Sequence, residues 1–255
     1  MPLHISVITA VLNRANTLGE SLASVHGQSW SNVEHIVIDG GSTDGTLDVI
    51  EQYRGGIAKL TSSTDAGPYY ALNKGIAYAS GDVIGFMHAD DMFASQHALE
   101  RIAGAFEDPS VDAVYGDLVY VRKEDSSHVV RYWRAGQFER AHLTQGWMPP
   151  HPTFYVRREL YARFGDFDTR YKIAADYDHM LRLLWRAKIN AAYVPEVLVR
   201  MRMGGLSNRS IFNMVSKSRE DYTAMRENGI GGLQTLLLKN VTKLPQFMVR
   251  AAPVR

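Results

Sequence analysis

Cysteine is absent from the 255 residues, so no disulfide framework and no thiolate metal site can form. That absence fits a reducing compartment, and a cytoplasmic location is expected. No uninterrupted apolar run approaches the ~20 residues that a membrane span requires. The N-terminus enters a strand pattern, Ile5 to Val11, with no basic leader and no small-residue cleavage site, so a secretory signal is not expected. Internal repeats and low-complexity segments are also missing. No Gly-x-Gly-x-x-Gly follows a strand, which disfavours a dinucleotide-dependent enzyme. A sugar-1-phosphate nucleotidyltransferase needs a glycine-rich phosphate loop just after its first strand. This chain has Val11 to Asn16 there, without a glycine.

What is present is ordinary in bulk: 45% hydrophobic and 22% charged residues, as in a globular protein of one large domain or a domain with a helical appendage. The net charge of +1 hides an asymmetry. Residues 201–255 hold nine Lys or Arg against three Asp or Glu. A basic tail points to an anionic partner, a membrane surface first, and no nucleic-acid partner is expected. In that tail Leu236, Leu237, Leu238, Val241, Leu244, Phe247 and Met248 interleave with Lys239, Lys243 and Arg250. The pattern fits an interfacial amphipathic helix, peripheral on the inner membrane face. It fits equally a helix packed on the domain with its lysines in water.

Along the chain, Leu3 to Val11, Glu34 to Asp39, Ile57 to Thr61 and Val83 to His88 read as strands. Helices are expected between them, from the Thr17-x-x-Glu20 capping-box spacing to His26, from Leu47 to Tyr53, and up to Ala79. Strand and helix thus alternate through residue 90, as in a parallel sheet with crossover helices. Beyond a helix at Ala98 to Phe106 the pattern becomes mixed. Val111 to Val121 and His128 to Trp133 read as antiparallel strands, Phe138 to Thr144 as a short helix, and Trp147 to Pro152 as irregular. Thr153 to Val156 reads as a strand and Arg158 to Phe164 as a helix. Asp176 to Lys188 reads as a strong helix with Met180, Leu181, Leu184 and Trp185 on its apolar face. Ala191 to Met203 reads as a last strand, with helices after Ser210.

The chemistry concentrates where the apolar run Val83 to Met87 ends in His88, Ala89, Asp90 and Asp91. Two adjacent carboxylates oppose each other's ionisation, and a divalent cation relieves that cost. Asp oxygens with an imidazole suit Mg²⁺ or Mn²⁺, whose shell a polyphosphate would complete. The alternative is a solvated turn capping the helix that begins near Ser95.

Three stretches together resemble family 2 glycosyltransferases of the GT-A fold. They are Ile5 to Asn13 with Glu34 to Thr46; Gly81 to Phe93; and Gly165 to Asp168 followed by Ala175 to Arg182. They occur in the family's order and cover residues 4 to 205. Within the family they look most like enzymes of bacterial cell-surface polysaccharide synthesis. The resemblance implies an α/β GT-A, Rossmann-like fold with a mixed central sheet. Residues 1–110 would bind the nucleotide-sugar, residues 111–205 would form the acceptor side, and residues 206–255 a basic helical extension. Carried over by position, Thr9, Ala10, Val11 and Asn13 line the nucleotide pocket and Asp39 accepts from the base. Asp65 meets ribose or base, Lys74 a phosphate, and Asp44 holds its turn. His88, Ala89 and Asp90 stand at the family's Asp-x-Asp signature, with an imidazole in place of the first carboxylate. Asp90, Asp91 and His88 are the candidate metal ligands. Asp176 matches the catalytic base, with Asp178 facing elsewhere on the helix. His151 and Trp147 are candidates for the acceptor or the diphosphate; a structural role is the alternative for each.

The expected activity is an inverting, metal-dependent transfer of one sugar, of hexosyltransferase type. The donor is a nucleotide-sugar, UDP-linked by default, and the acceptor is a glycan or lipid-linked hydroxyl. No Gln-x-x-Arg-Trp motif follows residue 176, which argues against a processive synthase. The competing reading is a non-catalytic nucleotide-sugar-binding relative, supported by His88.

Overall fold

Short runs of β-branched and aliphatic residues form strands β1 (Ile5–Val11), β2 (Val33–Asp39), β3 (Lys59–Ser62) and β4 (Val83–Phe86). The computed structural model describes residues 2–204 and 211–241. β1 lies parallel to β2 and β4, and β2 parallel to β3. Helices α1 (Ala15–His26), α2 (Thr46–Gln52) and α3 (Pro68–Tyr78) make the crossovers. β1 and β4 are apolar on both faces because layers cover both sides of the sheet.

The alternation then breaks. β5 (Met92–Phe93) and α4 (Ala98–Ala105) lead to β6 (Ala113–Val121) and β7 (Val129–Trp133), an antiparallel pair. β8 (Tyr155–Arg157) joins β4 to β6, antiparallel to both. β9 (Ala191–Arg202) runs parallel to β6 and antiparallel to β5. The sheet order is β3-β2-β1-β4-β8-β6-β9-β5, with β7 on β6. This is the mixed α/β sheet that the resemblance implies.

Gly85, in the middle of β4, is a packing requirement. A Cβ there would lie 2.0 Å from the ring of Tyr155, which is itself fully buried on β8. Gly85→Ala is therefore expected to cost about 1–3 kcal/mol or more by overpacking. The check is a lower urea midpoint at unchanged m-value.

Some sequence expectations are corrected. The Thr17–Glu20 capping box does not form: α1 begins at Ala15 with no side-chain cap. The Thr17 hydroxyl donates to the Ala89 carbonyl instead, and Glu20 accepts from buried Arg202 at 2.6 Å. Those distant partners outcompete the local cap. The strong helix from Asp176 is α6 (Ala175–Leu181), followed by a wide π turn over Arg182–Arg186. That turn packs Leu183 and Leu184 into the core and leaves Trp185 half-buried. The guanidinium of Arg182 donates to the carbonyls of Phe164, Gly165 and Asp166, which anchors the turn.

A short helix α5 (Glu159–Phe164) precedes that loop. At the C-terminal side, α7 (Ile211–Glu227) and α8 (Leu233–Val241) follow. Ala224, Met225 and Ile230 belong to the same apolar cluster as Phe86, Tyr177 and Leu181. The composition change near residue 205 is thus not a break in packing among the described residues. Lys239 is not on a wet face. It is fully buried, with its Nζ 2.9 Å from Asp221 and over the ring of Tyr177. Lys217 reaches the same carboxylate at 3.0 Å, so part of the tail's positive charge is neutralised internally. Lys243, Leu244, Phe247, Met248 and Arg250 lie outside the described residues.

Candidate active site

The order of β3, β2, β1 and β4 places a switch point between β1 and β4, where connections leave in opposite directions. Open α/β sheets bind ligands outside the carboxyl ends of such strands. Asn13 and Arg14 follow β1, and His88 to Asp91 follow β4. α1 ties the two loops together: the Thr17 and Ser21 hydroxyls donate to the carbonyls of Ala89 and His88. Asp90 faces outward with its side chain 29% exposed, and its Oδ2 is 4.0 Å from Nε of Arg14.

Asp176 is the second residue of α6. Its Oδ1 is 3.3 Å from the hydroxyl of Tyr69, whose shorter bond, 2.8 Å, goes to the Ile173 carbonyl. Burial and then the Asp176 charge raise the Tyr69 phenol well above its ordinary value, so it stays a donor. His88 and His151 stand ring to ring, 5.7 Å between centroids, with Phe86 stacked on His151. Burial lowers the His151 pKa to about 4 and also lowers that of His88. The charge of Asp176 opposes both shifts, and that of Asp90 opposes the one at His88. The His88–His151 ring contact sets the two imidazoles together beyond β4, where the Asp176 charge acts on both and the Asp90 charge on His88, and burial holds both rings toward the neutral form. The Nε2 of His151 is buried and has no hydrogen-bond partner within the described residues.

Other expected residues lie elsewhere or are already engaged. Thr9 is fully buried and its hydroxyl pairs with His35 Nε2 at 3.0 Å; Val11 is also in the core, whereas Asn13 is exposed. Asn13 adopts φ 52° and staples β1 to the β2 turn through Ser42 and Thr43. Asp39 is fully buried, and its Oδ2 accepts from the amides of Gly41 and Ser42 and from the Ser62 hydroxyl. Its visible work is to knot that turn. Asp44 holds its own turn as expected, accepting from Thr46 and Ala15. Asp65 and Lys74 bond each other, so the Lys74 ammonium is already engaged. Trp147 donates to the Ala135 carbonyl and meets Tyr115 edge-on. Asp178 is buried between Arg182 and Asn228, away from the crevice.

Asp91 faces inward. It is 1% exposed and accepts from the Arg202 amide on β9 at 3.0 Å. Burial, then the neighbouring Asp90 charge, push its carboxyl well above the usual range. Its Oδ1 clamps the sheet, while its Oδ2 is buried without a hydrogen-bond partner among the described residues, a position behind Asp90 that suits a supporting role better than direct metal contact. Among the described residues no group of three or more His, Asp or Glu side chains forms a ready cation cage. Mg²⁺ characteristically uses one or two carboxylates plus substrate phosphates and water. One outward carboxylate, Asp90, beside the imidazole of His88 fits that mode.

A concavity of about 650 Å³ lies at the opposite end of the sheet, lined by residues such as Trp30, Asp82, Phe106 and Arg157. It touches neither Asp90 nor Asp176. Asp90 and the paired imidazoles of His88 and His151 lie at the other end, beyond β4.

The sheet order is that of the GT-A fold. The structure resembles that of Staphylococcus aureus TarS 1-349 in complex with UDP-GlcNAc, with TM-score 0.68 and 18% identity, over 89% of this chain and 65% of that one. It also resembles the mannosyltransferase PcManGT from Pyrobaculum calidifontis in complex with GDP-Man and Mn²⁺. There the TM-score is 0.66 and the identity 18%, over 99% and 77% of the two chains. At that identity the likeness shows the fold. Residues 6–187 match the model for glycosyl transferase family 2, and the chain belongs to that family. A PGL/p-HBAD biosynthesis glycosyltransferase of Mycobacterium bovis is 30% identical over 209 residues, 80% of this chain and 78% of that protein.

Sequence reasoning missed Tyr69 and Arg14. Tyr69 carried no motif, and its partners are more than 100 residues away. Arg14 was visible next to Asn13, but only the fold brings it to Asp90.

Proposed function

We propose that this glycosyltransferase moves one sugar, with inversion, from a nucleotide-diphosphate donor to a hydroxyl of a lipid-linked glycan in surface polysaccharide synthesis. The observation that carries this reading is the convergence of Asp90, His88, His151 and Asp176 on the β1–β4 crevice. The donor lies on the residue 1–110 side and the acceptor on the 111–205 side. Asp90 and His88 would hold Mg²⁺ or Mn²⁺ together with the diphosphate. A cation there offsets the charge that collects on the leaving group.

The remaining work falls to the protein. A sugar hydroxyl is a poor nucleophile, so a positioned base takes its proton during attack. Asp176 fills that role: the acceptor oxygen bonds to the anomeric carbon as its proton passes to the carboxylate. The bond from that carbon to the diphosphate oxygen breaks, and the electron pair leaves with the nucleoside diphosphate. One displacement inverts the centre. Tyr69 holds Oδ1 and leaves Oδ2 for the acceptor.

The bound UDP-GlcNAc and GDP-Man of the two structural neighbours support a nucleotide-sugar donor, and the Mn²⁺ of one supports the metal. UDP-sugars remain the first choice. Exposed Leu233, Leu237 and Leu238 on α8 support a membrane-facing edge for a lipid-linked acceptor. The test is nucleoside diphosphate release across UDP-, GDP- and dTDP-sugars, with and without Mn²⁺. One donor should turn over in a Mn²⁺-dependent way, and Asp90→Ala should weaken Mn²⁺-dependent nucleotide binding at least tenfold. Binding of nucleotide without release from any donor would favour the non-catalytic reading, which the His88 replacement supports.

A further inference from the structure

Asp176 sits in the first turn of α6, where backbone amides lack intrahelical acceptors. The residues before the helix, Tyr171 to Ala174, include no Ser, Thr, Asn or Asp to cap it, and the helix start has no side-chain cap of its own. The nearest carboxylate in sequence is Asp176 itself. Acidic residues at helix starts readily turn back onto such amides. A general base engaged in that way would not be available to an acceptor.

The structure fixes the segment that leads into the helix from a distance. Glu220, on α7, accepts from three successive amides: Lys172 at 3.2 Å, Ile173 at 2.8 Å and Ala174 at 2.9 Å. Successive amides turned onto one carboxylate form an anion nest. The same peptide stretch then offers the Ile173 carbonyl to Tyr69, whose hydroxyl also reaches Asp176. A continuous path runs from Glu220 through the 172–174 backbone and Tyr69 to the carboxylate. Just past α7, Asn228 grips Asp178 at 2.8 Å, so the helix is held on both sides of Asp176.

We propose that Glu220 is a positioning residue for Asp176: from another helix it fixes residues 172–174, the lead into α6, and so sets where the base stands and keeps it aimed at the acceptor. Tyr69 is the second member of the same assembly. This rests on Asp176 being the base. It adds that the C-terminal helices build the catalytic geometry.

The test uses the full chain with Glu220→Ala, Glu220→Gln, Tyr69→Phe and the Glu220→Ala/Tyr69→Phe pair, beside Asp176→Asn. For Glu220→Ala, kcat is expected to fall by about 10- to 100-fold, with donor KM and UDP affinity unchanged. Glu220→Gln keeps an acceptor oxygen for the amides and is expected to recover most of that loss. Combining Glu220→Ala with Tyr69→Phe should lower kcat by less than the product of the two single effects, as for residues acting through one path. Thermal melts score the folded fraction, and amide exchange at 172–174 reports the cap directly. The proposal falls if folded Glu220→Ala turns over like the wild type. It also falls if glutamine gives no recovery while alanine is impaired, or if the two losses multiply. If Asp176→Asn itself retains turnover, the assignment of the base fails, and this proposal with it. If Asp176→Asn is inactive while Glu220→Ala is normal, only the positioning role is lost.

Discussion

Asp176→Asn is expected to give a folded protein that binds donor nucleotide normally and transfers sugar about 10²- to 10⁴-fold more slowly. The substitution keeps the shape, and an amide oxygen can still meet the Tyr69 hydroxyl, so α6 has no reason to move. It removes the one property the reaction uses, the ability to take a proton from the acceptor. The effect should therefore fall on kcat and not on donor affinity. Among the described residues, Asp178 is buried between Arg182 and Asn228 and cannot substitute, and Asp90 is the carboxylate proposed for the diphosphate side. The two imidazoles in the crevice are neutral at neutral pH, but neither is aligned by a hydroxyl as Asp176 is. Single-turnover sugar transfer with UDP affinity measured in parallel decides the matter. Turnover within threefold of wild type would remove Asp176 from the mechanism.

The second large expected effect is acid instability. His35 is buried between Thr9 and His26, and its pKa is lowered to about 3 by burial and then by the His26 charge. His179 is stacked on Tyr161, and its pKa lies well below the ordinary value, through burial, Arg182 and His151 in that order. In the unfolded chain both titrate near 6.5. Below that pH the unfolded state binds protons that the folded state refuses, so stability falls as pH drops. At pH 5 His35 alone costs about 2 kcal/mol, and His179 adds to the loss in the same direction. That is a large share of a total near 5–15 kcal/mol. Asp91 works in the opposite sense. Its raised carboxyl takes up a proton in the folded state first, which returns part of the loss as pH falls. Urea midpoints should be flat from pH 8 to 7 and decline steadily from 6.5 to 5. A midpoint unchanged at pH 5 would show that these imidazoles do not stay neutral in the fold.

The strands that carry the site were legible because each is a short apolar run ending in polar residues, and those ends are where the crevice opens. Asp90 stood out for the same reason, as a carboxylate just past a buried strand, whereas Asp176 was marked by its match to the family's motif. What sequence order could not reveal was direction. Asp90 and Asp91 are adjacent, yet one faces the crevice and the other the core. The choice is made by the Arg202 amide 111 residues away. β5 was invisible because two residues pair only with β9 and carry no periodicity. Lys239 read as a wet lysine because its partner, Asp221, is on the preceding helix and the cavity it fills is built by Tyr177. The capping-box spacing at Thr17 was present, but its donors and acceptors were claimed by the β4 loop and by β9.

The grip of α7 on the segment before α6 bears on how such enzymes can be re-engineered. Exchanging the C-terminal helices while keeping the donor half is one route to a different acceptor range. Here an exchange that omitted the acid at position 220 or the amide at 228 would strip three backbone donors and a buried carboxylate of their partners. A chimera of this kind should retain its nucleotide and lose its turnover, unless those two side chains travel with the graft.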